Sequence, residues 1–278
     1  MTGSRTAATI DAARAEGRAA LVVYLPVGYP DVDGSIAAAR AAVEAGADIV
    51  ELGLPYSDPG MDGAVNQEAM QAALAGGTRT ADVLRAVREV AETGAPTLVM
   101  TYYNPVLRYG VDRFATDLVA AGGAGLITPD LIPDEAGEWI AAADAHDLDK
   151  VFLVAPSSTT ERLHLTTAAS RGFVYAASTM GVTGARASVG PKAEALVAAT
   201  RAAGAERVCV GLGVSTGAQA AEVASYADGV IVGSALVRTL IRSDGDRDAA
   251  LEDLRRLIGE LAEGVRSGRP VTSGGPAR

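Results

Sequence analysis

ADIVELGLPYSDPGMDG, residues 47–63, runs from a short apolar strand into a proline- and glycine-rich loop that carries two aspartates. Within it Ile49, Glu51 and Gly53 alternate with Val50, Leu52 and Leu54, so Glu51 shares a face with Ile49 and Gly53. If the Val/Leu face packs on helices, the other face looks into a sheet interior and Glu51 stands at its C-terminal end.

Runs of the same kind recur outward from this stretch: ALVVYLPV (20–27), PTLVMTYY (96–103), AGLITPD (124–130), KVFLVAP (150–156), GFVYAAS (172–178), RVCVGLGV (207–214) and DGVIVGSA (228–235). They are short and β-branched and mostly do not alternate, as expected of strands covered on both faces. Between them lie Ala-rich segments such as GSIAAARAAVEAGA, TADVLRAVREVAETGA and VDRFATDLVAAGGA, with apolar residues at helical spacing and glycine at the end. Eight strand–helix units without a glycine-rich dinucleotide fingerprint after the first strand predict an α/β fold, a single closed (β/α)₈ TIM barrel. Residues 1–268 form the expected domain, with 1–17 an N-terminal helical segment and 269–278 a flexible tail. In such a barrel the site lies where strands end and βα loops begin.

Composition narrows the chemistry. A net charge of −10 argues against nucleic-acid or anionic-membrane partners, which need clustered Lys and Arg. No stretch of about 18 apolar residues predicts a membrane span or signal peptide. The lone cysteine, Cys209, sits in an apolar run and reads as core, which suggests a reducing, cytoplasmic setting.

A carboxylate at Glu51 in an apolar mouth would have its pKa raised, as proton exchange near neutrality requires; the competing reading is an Arg- or amide-paired strand-end Glu. Asp58 and Asp62 cannot be ranked from spacing, because aspartates between Pro55, Pro59, Gly60 and Gly63 also cap turns. Three small-residue loops, GVTG (181–184), GLGVS (211–215) and VGSALV (232–237), offer backbone N–H groups and a helix N-terminus to a phosphate without needing Lys or Arg. Only two lysines occur, Lys150 at a strand start and Lys192 beyond a loop, so a Schiff base is poorly supported. His146 and His164 fall on helices, and no metal centre is expected. Tyr24, Tyr102 and Tyr175, with Met100, Leu126, Leu153 and Leu212, could line an apolar pocket for a flat ring.

ELGLPYSDPGMDG, MTYYNPVLRYG, GLITPDLIPDE, VFLVAPSST, VYAASTMGVTG, GLGVS and VIVGSALV together resemble the α subunit of tryptophan synthase across residues 18–265. The resemblance implies a lyase of aromatic amino-acid biosynthesis that cleaves indole-3-glycerol phosphate to indole and glyceraldehyde 3-phosphate. It implies no cofactor in this chain, and an αββα heterotetramer whose β subunit carries pyridoxal phosphate and receives the indole. By the same resemblance Glu51 is the general acid/base and Asp62 holds the ring N–H. Tyr175 contacts the glycerol chain, and Gly184, Gly213, Gly233 and Ser234 the phosphate. Tyr24, Met100, Tyr102 and Leu153 surround the ring, and Thr183 belongs to a lid that locks on Asp62. Pro55, Asp58, Pro59, Asn104 and Pro105 face the β subunit.

Ala64 departs from the family's usual proline, Thr179 from a frequent arginine and Pro129 from a small residue, which bears on loop dynamics. The alternatives are a stand-alone lyase that releases free indole and a protein whose task is to activate or seal a β subunit.

Overall fold

The computed structural model describes residues 3–177, 191–211, 213–243 and 245–268. Nine parallel strands form one sheet: β1 (Ala20–Pro26), β2 (Ile49–Gly53), β3 (Thr97–Met100), β4 (Gly125–Ile127), β5 (Asp149–Val151), β6 (Leu153–Val154), β7 (Val174–Ala177), β8 (Val208–Gly211) and β9 (Gly229–Val232). Their spatial order is β5-β4-β3-β2-β1-β9-β8-β7-β6. The two edges of that order are consecutive in the chain, joined by Phe152 alone, so the ring closes through a covalent link. The expected eightfold barrel is present, and its fifth stave is interrupted: β5 pairs with β4, β6 with β7, and Phe152 accepts the Tyr175 N–H at 3.0 Å.

The strand faces divide as periodicity requires. Val22, Ile49, Leu98, Cys209 and Ile231 pack in the barrel interior, while Val23, Val50, Leu52, Val99, Val210 and Val230 pack under the helices. Leu126 belongs to this outer layer, not to the pocket, because its register partner Lys150 shares its outward face while Gly125 and Ile127 take the inner one.

The first helix, α1 (Arg5–Ala15), starts at a Ser4 cap and lies across the N-terminal opening of the barrel. Its Ile10 and Ala13 are fully buried against the interior layer, which stoppers the floor. Around the wall run α2 (Val32–Glu44), α3 (Ala64–Ala75), α4 (Thr80–Ala91), α5 (Tyr103–Tyr109), α6 (Val111–Ala120), α7 (Gly137–Ala145), α8 (Thr160–Ala169), α9 (Pro191–Ala202), α10 (Gly217–Ala224), α11 (Ser234–Arg242) and α12 (Arg247–Ser267).

The third apolar run ends sooner than its composition suggests. β3 stops at Met100, Tyr102 caps α5, and Pro105 sits in that helix's first turn, where no intrahelical N–H is lost. Two helices, α3 and α5, thus project from the C-terminal side of neighbouring strands and wall one sector of the mouth. Among the described residues no helix is long and apolar enough to cross a membrane.

Candidate active site

Glu51 is the last large inward residue of β2, level with Tyr24 on β1 and Leu98 on β3. It is fully buried, and neither carboxylate oxygen has a hydrogen-bond partner among the described residues. Burial alone pushes its pKa up from 4.5 to about 8. A carboxyl poised there keeps its proton at neutral pH and gives it up at small cost, as a general acid/base must. Among the described residues no Lys or Arg lines the cavity above it to hold it ionised.

Room beside Glu51 comes from missing side chains. A methyl group at Gly53 would strike the Tyr24 hydroxyl and Met70, and one at Gly211 would overlap the Tyr175 hydroxyl. The tyrosine rings occupy the volume that these glycines leave. Burial, followed for Tyr24 by Asp62 and Glu51 and for Tyr175 by Glu51, raises both phenols well above 10. Each therefore stays a neutral O–H group across the pH range in which Glu51 titrates.

Asp62 lies eleven positions on, at the lip of the same cavity, with Gly63 next as the N-cap of α3. Burial raises its pKa, and hydrogen bonds from Tyr102 and Asn66 oppose that rise. The Tyr102 hydroxyl lies 3.3 Å from Asp62 Oδ2 and accepts the Met61 N–H at 2.8 Å; Gln67 Nε2 donates to the Asp62 carbonyl at 2.8 Å. Asp62 is held in place by its neighbours, whereas Glu51 is left without a partner. A carboxylate just before a helix start also gains from the positive end of the helix dipole.

Asp58 separates cleanly from Asp62. It is exposed, bonded among the described residues only to Ser57 Oγ at 2.6 Å, and does not line the cavity. In the same loop Pro59 is half-buried and Pro55 is buried, so Pro55 offers little surface of its own. Tyr56 ties this loop to α5: its ring lies 5.3 Å from that of Tyr102 and its hydroxyl accepts from Asn104 Nδ2 at 3.3 Å. Asn104 is exposed and Pro105 half-buried, which brings the two expected partner-facing segments onto one side of the mouth.

Across the cavity Gly213, Gly233 and Ser234 line its far end, and Ser234 opens α11. Gly213 has φ +69°, a left-handed conformation that suits glycine. Met100, Tyr102, Leu153 and Pro129 complete the walls. Thr179, Thr183, Gly184 and Leu212 lie outside the described residues.

Lys150 is buried on the outer face and paired with Asp144, and His146 and His164 sit on α7's end and within α8, all away from the mouth. Sequence reasoning overlooked Asn66, which lines the cavity from α3. The only hint was its spacing, four residues after Asp62 across a helix start.

The family profile described as "Tryptophan synthase alpha chain" matches residues 10–266. The chain is 62% identical over 263 residues to the tryptophan synthase alpha chain of Mycobacterium marinum, covering 95% of each protein. It is 60% identical over 265 residues to that of Mycobacterium tuberculosis, covering 95% of this chain and 96% of the relative. Among solved structures, Mycobacterium tuberculosis tryptophan synthase superposes with a TM-score of 0.90 at 60% identity, over 96% of this chain and all of that one. The tryptophan synthase alpha chain of Legionella pneumophila superposes with a TM-score of 0.86 at 32% identity, over 95% and 98%.

Proposed function

The chain belongs to the tryptophan synthase alpha chain family, and from that premise we propose that Glu51 and Asp62 are the groups that carry its chemistry. The reaction is the lyase half of tryptophan synthesis: cleavage of indole-3-glycerol phosphate to indole and glyceraldehyde 3-phosphate, in a complex with a β subunit. The observation that carries the assignment of roles is the contrast between a fully buried, unpartnered carboxyl at Glu51 and a tethered one at Asp62.

In this reading the phosphate rests on backbone N–H groups of Gly184, Gly213, Gly233 and Ser234, aided by the α11 dipole. Tyr24, Met100, Tyr102 and Leu153 enclose the indole ring, and Tyr175 meets the glycerol chain. Glu51 delivers its proton to C3 of the ring, which turns the ring into an indoleninium cation. Asp62 hydrogen-bonds the ring N–H and offsets that charge where it develops. The carboxylate left at Glu51 then removes the glycerol hydroxyl proton. The C–C bond breaks, its electron pair returns to the ring, and indole and the aldehyde phosphate form with the proton count balanced.

None of these steps calls on a cofactor in this chain; pyridoxal phosphate belongs to the β subunit in this reading. The surface formed by Asp58, Pro59, Asn104 and Pro105, with Pro55 beneath it and Met61 and Leu107 exposed nearby, would face that subunit in an αββα assembly. Thr183 would close over Asp62.

The test is to titrate the chain with a β subunit while following indole-3-glycerol phosphate consumption. Turnover should rise steeply to a saturating ratio. Turnover unchanged by the β subunit favours the stand-alone lyase, and absence of cleavage even in the complex overturns the assigned chemistry.

A further inference from the structure

Asn66 combines three properties that a helix-surface amide does not have. It is 7% exposed, it lines the cavity that holds Glu51 and Asp62, and its Oδ1 is buried without a hydrogen-bond partner among the described residues. It stands in the first turn of α3, one helical turn beyond Asp62, on the side of that helix which turns toward the mouth. Its neighbour Gln67 donates to the Asp62 carbonyl at 2.8 Å, so the helix start is tied to the acidic loop. Leaving an amide oxygen dry and unpaired is unfavourable, and such a group in a binding cavity is most simply explained by a donor that arrives with the ligand.

We propose that Asn66 is a positioning and recognition residue of the lyase site: its amide N–H holds the Asp62 carboxylate, and its Oδ1 is a second, uncharged acceptor for the ring N–H of the indole. The inference rests on the assignment of Asp62 to that N–H. Of the polar groups on the described wall nearest Asp62, Tyr102 is a hydroxyl already bonded to Met61 N–H and close to Asp62. Asn66 is the only one there with a dry acceptor to spare. Tyr102 and Asn66 are both hydrogen-bond partners of the carboxylate. The ring N–H, which becomes a far stronger donor once C3 is protonated, then meets a carboxylate and an amide oxygen side by side.

The experiment uses the full chain saturated with a β subunit and two non-cleavable probes: an indole-3-alkyl phosphate and its benzothiophene counterpart, which has sulfur in place of the ring N–H. Asn66→Leu should weaken binding of the indole probe by about tenfold, the size of one well-placed hydrogen bond, and leave the benzothiophene probe within about twofold. The acid limb of the kcat profile should move to higher pH, because Asp62 loses a donor that favours its charged form. If Asn66→Leu does not fold, Asn66→Ala is read in the same way. Equal losses on both probes, or no loss on either, overturn the proposal. Asp62→Asn separates the two layers of argument: wild-type turnover in that variant refutes the role of Asp62 itself, while lost turnover with an unselective Asn66→Leu refutes only the role of Asn66.

Discussion

The two ends of the barrel treat buried carboxylates in opposite ways. At the floor, Asp228 receives Arg14 and Arg201, each at 2.9 Å, and the Val208 N–H at 2.8 Å. Asp48 takes Arg18 through both oxygens at 2.7 and 2.9 Å, plus the Leu21 N–H at 2.7 Å. Asp149 accepts from Thr6 through Oδ2 at 2.5 Å, and its Oδ1 has no hydrogen bond among the described residues but lies 3.7 Å from the Arg171 guanidinium. At the mouth, Glu51 has none of this. Strand starts and strand ends of one sheet are thus furnished for different tasks. The floor pairs its charges and so fastens α1 and the loops to the barrel. The mouth keeps one carboxyl unpaired, at some loss of stability, so that its proton remains exchangeable.

The contrast breaks most visibly if the two ends are swapped in effect. Glu51→Gln is expected to lower indole formation by about 10³-fold or more, the upper range for a general acid/base, with the fold unchanged by circular dichroism. Near-normal turnover in that variant would remove Glu51 from the mechanism. At the other end, Asp228→Ala takes the shared carboxylate from Arg14 and Arg201, which keep the Glu206 and Tyr226 carbonyls, and from the buried Val208 N–H. It should cost about 4 kcal/mol, or roughly 10 °C in Tm, while turnover per folded molecule stays the same. A selective loss of turnover without a change in Tm would show that the floor is not merely structural.

The pH dependence sharpens the same division. The folded Glu51 titrates at about 8 against 4.5 for an unburied side chain, so between these values the folded state holds a proton that the unfolded state has released. Its contribution is intact below about pH 4.5 and is lost as pH rises through 8. Wild type should therefore lose a few kcal/mol relative to Glu51→Gln between pH 5 and 8, seen as diverging melting curves; parallel curves would argue against a dry carboxyl. The smallest effect is expected at Thr6→Val. Removing the hydroxyl that serves Asp149 should cost about 1.5 kcal/mol by denaturant titration, with kcat unaltered. No measurable cost would mean that Arg171 suffices for Asp149.

Much of this was legible before the fold was known. The alternation of Ile49, Glu51 and Gly53 with Val50, Leu52 and Leu54 placed Glu51 inward, and the structure puts those sets in different layers. The glycines of GLGVS and VGSALV marked the far end of the cavity, because small residues at strand ends leave the space that a pocket needs. What escaped was local competition: the break at Phe152, the early end of β3, and the helix that carries Asn66. Strand length and helix start depend on which partner is in register, which no single segment encodes.

By itself, the chain determined its barrel and the strand end where its acid stands, because the periods of 2 and 3.6 are set by backbone geometry and recorded residue by residue. Only the tertiary structure decided that Glu51 has no partner among the described residues, that Asp62 rather than Asp58 shares its cavity, and that Asn66 stands beside it. Those are facts about solvent exclusion and proximity, which arise when segments distant in sequence close around the same space.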